Sequence, residues 1–133
     1  MKKPPADLFD AANAVLCNAY APYSHFSVAA SVRAENGEIF VGCNVENAAF
    51  PMGLCAEIGA ISALFTKGYR RITEILILVS SRKLCPPCGA CRQRFLECAA
   101  LGTVVHLCTT QGEYQQITLG ELFPHAFGPH NLE

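Results

Sequence analysis

The chain has 133 residues, 51% of them apolar and 16% charged, which suits one folded domain with a sizeable core and excludes a disordered or fibrous chain. Lys plus Arg number 10 and Asp plus Glu 11, for a formal net charge of −1. That balance argues against an electrostatic nucleic-acid binder, and no polybasic run marks a membrane surface.

The N-terminal lysines are followed by no apolar run, so no secretion signal is expected. Ala6 to Tyr20 is predicted helical, with Leu8, Ala12, Val15, Leu16 and Ala19 at helical spacing and Pro22 ending it. Phe26 to Arg33 reads as a strand. Asn36-Gly37 predicts a type I′ hairpin turn into a return strand, Glu38 to Cys43. Asn44 to Leu54, with Pro51 and Gly53, reads as a long loop.

Cys55 to Lys67 is predicted as a second helix, with Gly68 as its C-terminal cap. Ile72 to Ser80 is a buried strand; its apolar run, Ile75 to Val79, is far too short to span a bilayer. After a loop at Lys83 to Pro87, Cys88 to Ala100 reads as a third helix closed by Gly102. Thr103 to Cys108 is another strand, Gln111-Gly112 a turn, and Tyr114 to Ile117 a short edge strand. Leu119 to Glu133 forms a tail with little periodicity. Residues 1–133 are expected to form a single domain. The α, β, β, α, β, α, β, β order predicts an α/β fold, with a mixed sheet covered by helices on both faces. Ligands bind such sheets at strand ends where helices begin.

The absence of a signal or span predicts a cytoplasmic protein. In a reducing compartment its eight cysteines are expected as core residues, metal ligands or catalysts rather than disulfides. Two helix starts carry the candidate chemistry: Cys55-Ala56-Glu57 and Pro87-Cys88-Gly89-Ala90-Cys91. Cys88 and Cys91 share one side of a first helical turn. Helix N-termini favour thiolates. Three thiolates leave one tetrahedral position open, as in catalytic rather than structural zinc sites. Glu57 is placed to move protons for a water activated there. Each feature alone has an ordinary reading: a core cysteine, a redox Cys-x-x-Cys pair, a carboxylate facing a helix dipole. The redox reading leaves Cys55 and Glu57 without a role. Taken together, the features match the zinc nucleobase deaminases.

The sequence resembles the small cytidine deaminases over nearly its whole length. The resemblance rests on Tyr23-Ser24-His25-Phe26, Gly42-Cys43-Asn44-Val45-Glu46-Asn47, Cys55-Ala56-Glu57, Pro87-Cys88-Gly89-Ala90-Cys91-Arg92-Gln93 and Phe127-Gly128-Pro129. It implies a five-stranded mixed sheet in a three-layer αβα fold. It implies one zinc ion per subunit on Cys55, Cys88 and Cys91, with Glu57 as catalytic proton shuttle. Asn44 and Glu46 would bind the sugar hydroxyls, Phe26 would pack on the pyrimidine, and backbone near Ala56 would read the base edge. Phe127 would reach a neighbouring subunit's site in a homotetramer. The implied reaction is hydrolysis of cytidine or deoxycytidine to the uracil nucleoside and ammonia, in pyrimidine salvage. No nucleic-acid or membrane partner is expected.

Three positions depart from the family's pattern. Ile58 stands where the three-cysteine members carry Arg, leaving more of the thiolate charge to the helix N-termini. Phe50 replaces a Tyr and removes one hydroxyl near the sugar. Cys85 adds an overlapping Cys-x-x-Cys and admits three readings: a loop bystander, a redox liability, or a fourth ligand closing the site. Arg92 is a candidate substitute for the absent Arg. Two other functions remain open: deamination of a different cytosine compound, such as a nucleoside antibiotic, and a non-catalytic module with zinc closed by Cys85. Cys17, Cys43, Cys98 and Cys108 read as packing residues. The four histidines lack ligand spacing to one another.

Overall fold

In the computed structural model, which describes residues 2–133, the elements run α1 (Ala6–Leu16), β1 (Val28–Ala34), β2 (Ile39–Cys43), α2 (Ala56–Thr66), β3 (Ile72–Val79), α3 (Gly89–Cys98), β4 (Ala99–Thr109), β5 (Tyr114–Thr118) and α4 (Leu119–Leu122). Short 3-10 turns occur at Phe50–Met52 and Pro129–Leu132. The strands form one sheet in the order β2-β1-β3-β4-β5. β3 and β4 pair in parallel and the other neighbours are antiparallel, so the sheet is mixed, as expected. Among the described residues, no helix is long and apolar enough to cross a membrane.

Strand β3 lies at the centre, and Ile75 to Val79 are all buried there. Its unbroken apolar run follows from cover on both faces. On one face, Leu8 and Ala12 of α1 pack against Ala29, Leu76 and Leu78. On the other, Ala60 and Leu64 of α2, Phe95 of α3 and Leu119 of α4 pack against Ala30, Val32, Ile75, Ile77 and Val105. The alternation of side chains along β1 and β3 feeds these two cores separately. The result is the three-layer αβα arrangement. Each large apolar side chain removed from water contributes about 1.5–3 kcal/mol.

Several boundaries differ from the sequence expectation. Helix α1 stops at Leu16, because Tyr20 is drawn across to the 44–46 loop: its N–H donates to the Asn44 carbonyl at 2.9 Å, and its carbonyl accepts from Glu46 at 2.8 Å. The hairpin turn is not type I′. Only Gly37 has positive φ (+92°), and Ala34 N–H meets the Glu38 carbonyl at 2.8 Å across a three-residue loop. That is the pattern of a type I turn followed by a left-handed glycine. Helix α3 ends at Cys98, and Ala99 turns at once to extended backbone to pair with Ile72. Gly102 therefore lies inside β4 and caps nothing. In the tail, Thr118 and Glu121 close a capping box on α4.

Candidate active site

The two helix starts named from the sequence meet. Cys55 is the N-cap of α2 and Cys88 the N-cap of α3, while Cys91 sits in the first turn of α3. The Cys55 and Cys88 sulfurs are 3.9 Å apart, and all three sulfurs lie within 4.8 Å of one another. Sulfurs bound about 2.3 Å from one tetrahedral zinc stand roughly 3.8 Å apart. The triad therefore fits one zinc ion, with a fourth position that no described protein ligand fills. Cys85 lines the same cavity, but its sulfur is not within 4.8 Å of all three others. Its thiol lies 3.5 Å from the Pro86 carbonyl.

The electrostatics suit a cation. Burial pushes the Cys55 thiol up, and the neighbouring Cys88 and Glu57 charges add to it. Burial, with the charges of Glu57 and Cys55, raises Cys91 further. At Cys88 burial also acts upward, but N–H groups of Cys91 and Ala90 and the neighbouring thiols outweigh it and hold this thiol below its usual value. Three thiolates together need the metal's charge.

Glu57 follows in the first turn of α2 and is 5% exposed. Burial pushes its carboxyl up, partly opposed by its own backbone N–H and the Cys91 thiol. It lies on the wall of a cavity of about 390 Å³ that also touches Cys55, Cys88, Ala56, Phe26, Asn44 and Glu46. The cavity is lined by seven of the nine site residues identified from the sequence, and Cys91 joins them through the thiol cluster rather than through the cavity wall. Phe127 lies outside this cavity, 57% exposed, with its carbonyl accepting from Gln93 Nε2 at 2.9 Å.

Ser24, Phe26, Val28 and the 44–46 segment also line the cavity. The Asn44 side chain bridges to Val28 and Phe26: its Oδ1 accepts from Val28 N–H at 2.9 Å, and its Nδ2 donates to the Phe26 carbonyl at 2.8 Å. A primary amide so bound keeps one further donor and one further acceptor site. Glu46 Oε1 accepts from the N–H groups of Tyr23 at 2.9 Å and Ser24 at 3.1 Å, and Oε2 accepts from the Ser24 hydroxyl. The Ser24 hydroxyl holds this carboxyl below the usual carboxylate range; burial opposes it, and the two N–H groups add to it. Phe50 projects from the rim, 74% exposed, with its ring edge-on to Tyr23 at 5.7 Å.

Two residues that sequence reasoning left without a structural role prove to shape the site. Ser24 stands inside the Tyr23-Ser24-His25-Phe26 motif, yet its link to Glu46 spans two segments distant in sequence. Gly42 is a glycine within a strand, which signals close backbone approach; β2 there lies directly against the first turn of α2. Arg92 makes its hydrogen bonds to backbone carbonyls rather than to the thiols. Its guanidinium donates to the Pro87 carbonyl at 2.7 Å and to the Leu122 carbonyl, and so ties the Cys88 loop to α4. Ile58 faces apolar grooves on the outer side of α2.

Fold and thiol triad define the class: an αβα protein with a three-cysteine zinc centre. The family model for the cytidine and deoxycytidylate deaminase zinc-binding region matches residues 3–108. The cytidine deaminase of Halalkalibacterium halodurans is 39% identical over 114 residues, covering 86% of this chain and 86% of that relative. The crystal structure of cytidine deaminase from Burkholderia pseudomallei superposes with a TM-score of 0.86 at 38% identity, covering 91% of this chain and 97% of that one. That of the Mycobacterium tuberculosis enzyme gives 0.81 at 31% identity, with coverage of 96% and 99%. The chain belongs to the cytidine and deoxycytidylate deaminase family and is a zinc-dependent deaminase.

Proposed function

We propose that this protein, as a single domain over residues 1–133, hydrolyses cytidine or deoxycytidine to the uracil nucleoside and ammonia. The observation that carries this reading is the buried Glu57 carboxyl on the same cavity wall as Cys55 and Cys88, within reach of three thiols spaced for zinc. Cys55, Cys88 and Cys91 would hold the ion. Bound zinc supplies a Lewis acid that makes water nucleophilic near neutral pH.

With the ion bound, Glu57 would pass one proton of the attacking water to N3 of the base as the C4–O bond forms, and then the second, from the resulting C4 hydroxyl, to the amine as the C4–N bond breaks and ammonia leaves. Its burial suits a carboxyl that must hold a proton between the two transfers. Ala56 lies beside it and reads the edge of the base through its backbone. Phe26 supplies an apolar platform for the pyrimidine. Asn44 and Glu46 meet the sugar hydroxyls. A site with such fixed polar groups disfavours ligands that leave them unpaired.

Phe127 completes the site of a neighbouring subunit in a homotetramer. Its exposure in its own chain supports this, as does the apolar rim of Phe50, Met52 and Leu54, respectively 74%, 64% and 56% exposed. The relatives named cytidine deaminase favour a nucleoside over another cytosine compound, and the reading assigns the enzyme to pyrimidine salvage in the cytoplasm. The test is ultraviolet-monitored turnover of cytidine by the zinc-loaded protein. Turnover supports the assignment. No turnover of cytidine or deoxycytidine, with turnover of another cytosine compound, favours the antibiotic-type substrate.

A further inference from the structure

We propose that Ser24 is a positioning residue that fixes Glu46 for sugar recognition and couples it to the base-packing segment at Phe26. This rests on the reading of Glu46 as the acceptor for sugar hydroxyls.

The hydroxyl of Ser24 makes two bonds in opposite senses. It donates to Glu46 Oε2 and accepts from the Phe26 N–H at 3.0 Å. The second bond occupies a lone pair of the hydroxyl and so helps aim its proton at the carboxylate. Glu46 Oε1 is held separately, by the Tyr23 and Ser24 N–H groups. With both oxygens anchored, the carboxylate plane cannot rotate, and its remaining lone-pair capacity has a fixed direction. Ser24, Phe26 and Glu46 all line the same cavity. One hydroxyl thus joins the residue proposed for the sugar to the residue proposed for the base.

Ser24 is not needed to hold its loop. It is exposed and belongs to neither core cluster. The loop is pinned by backbone bonds that its side chain does not make: Tyr20 N–H to the Asn44 carbonyl, Glu46 N–H to the Tyr20 carbonyl and His25 N–H to the Ala21 carbonyl. Removing the hydroxyl therefore frees one carboxylate oxygen and leaves the fold.

The test is steady-state kinetics of the zinc-loaded enzyme on cytidine and on 2′,3′-dideoxycytidine, which lacks the ring hydroxyls, with melting curves alongside. Ser24→Ala is expected to raise the cytidine KM about 10–150-fold, the effect of one net hydrogen bond to a charged group. The cytidine kcat should stay within about twofold, and the preference for cytidine over the dideoxy analogue should shrink by the same factor as KM rises. Ser24→Thr, which keeps the hydroxyl, should restore the preference. Equal losses on both substrates, no change on either, or an early-melting Ser24→Ala protein would each overturn the proposal. Glu46→Gln separates the two readings. If it leaves the preference intact, the sugar role of Glu46 fails. If it abolishes the preference while Ser24→Ala does not, only the role of Ser24 fails.

Discussion

Gly42 and Ala56 are in direct backbone contact. A Cβ added to Gly42 would stand 2.3 Å from the Ala56 carbonyl oxygen, 2.6 Å from Ala60 N and 2.9 Å from the Gly59 carbonyl carbon. The edge strand β2 and helix α2 meet here with no side chain between them. The contact falls at the residue between Cys55 and Glu57. The position of both is therefore set by the absence of a side chain at residue 42.

Gly42→Ala should push α2 off the sheet, at a cost of about 1–3 kcal/mol for overpacking. The melting temperature should fall, and zinc should be held more weakly because Cys55 moves away from α3. Thermal melting and zinc content of the purified variant check both. An alanine at 42 with native melting and full zinc would show that α2 has room to relax.

The thiols divide into ligands and bystander. Cys91→Ser is expected to reduce zinc from about one per chain to near zero, with loss of turnover, because a structured site needs its thiolate donors. Cys85→Ser should leave both zinc content and turnover unchanged. Metal analysis by mass spectrometry decides this. Loss of zinc in Cys85→Ser would make Cys85 a ligand and the site a closed one.

Arg92 bridges the Pro87 and Leu122 carbonyls behind Cys88. Arg92→Ala should weaken zinc binding about 10–100-fold, in the range found when supporting residues around metal ligands are removed. A competition titration against a chromophoric chelator measures it. The activity of the fully zinc-loaded variant should recover most of its native value.

Phe127 serves a neighbour in the proposed assembly. Phe127→Ala should lower kcat/KM for cytidine while zinc content stays native. Glu57→Gln should be inactive by itself. Co-refolding the two variants should yield more activity than the sum of the separate samples, because mixed assemblies contain sites with a native Glu57 and a native partner Phe127. Strict additivity would place Phe127 outside the shared site.

The chemistry was more legible in the sequence than the local geometry. Three cysteines at two helix starts can be read from spacing, because helix N-termini and tetrahedral zinc both impose short-range rules. Two of them prove to be N-caps. Strand β3 was legible because burial on both faces leaves no polar residue in its second half. Boundaries were less so. Local propensity favoured a longer α1 and α3, but pairing of Tyr20 with the 44–46 segment and of Ala99 with Ile72 overrode it. Asn36-Gly37 marks the position of the turn but not its type, because only Gly37 enters the left-handed region. Ser24 and Arg92 act through contacts between segments far apart in sequence, which no spacing rule reveals.

In the proposed reaction Glu57 moves the protons. The most direct measurement compares cytidine turnover by the zinc-loaded native protein with that of Glu57→Gln at matched zinc content. Glu57→Gln should lower kcat by about 10²–10⁴, the usual worth of a general acid–base, with zinc fully retained. A Glu57→Gln enzyme with near-native kcat would contradict it and move the proton transfers to another group.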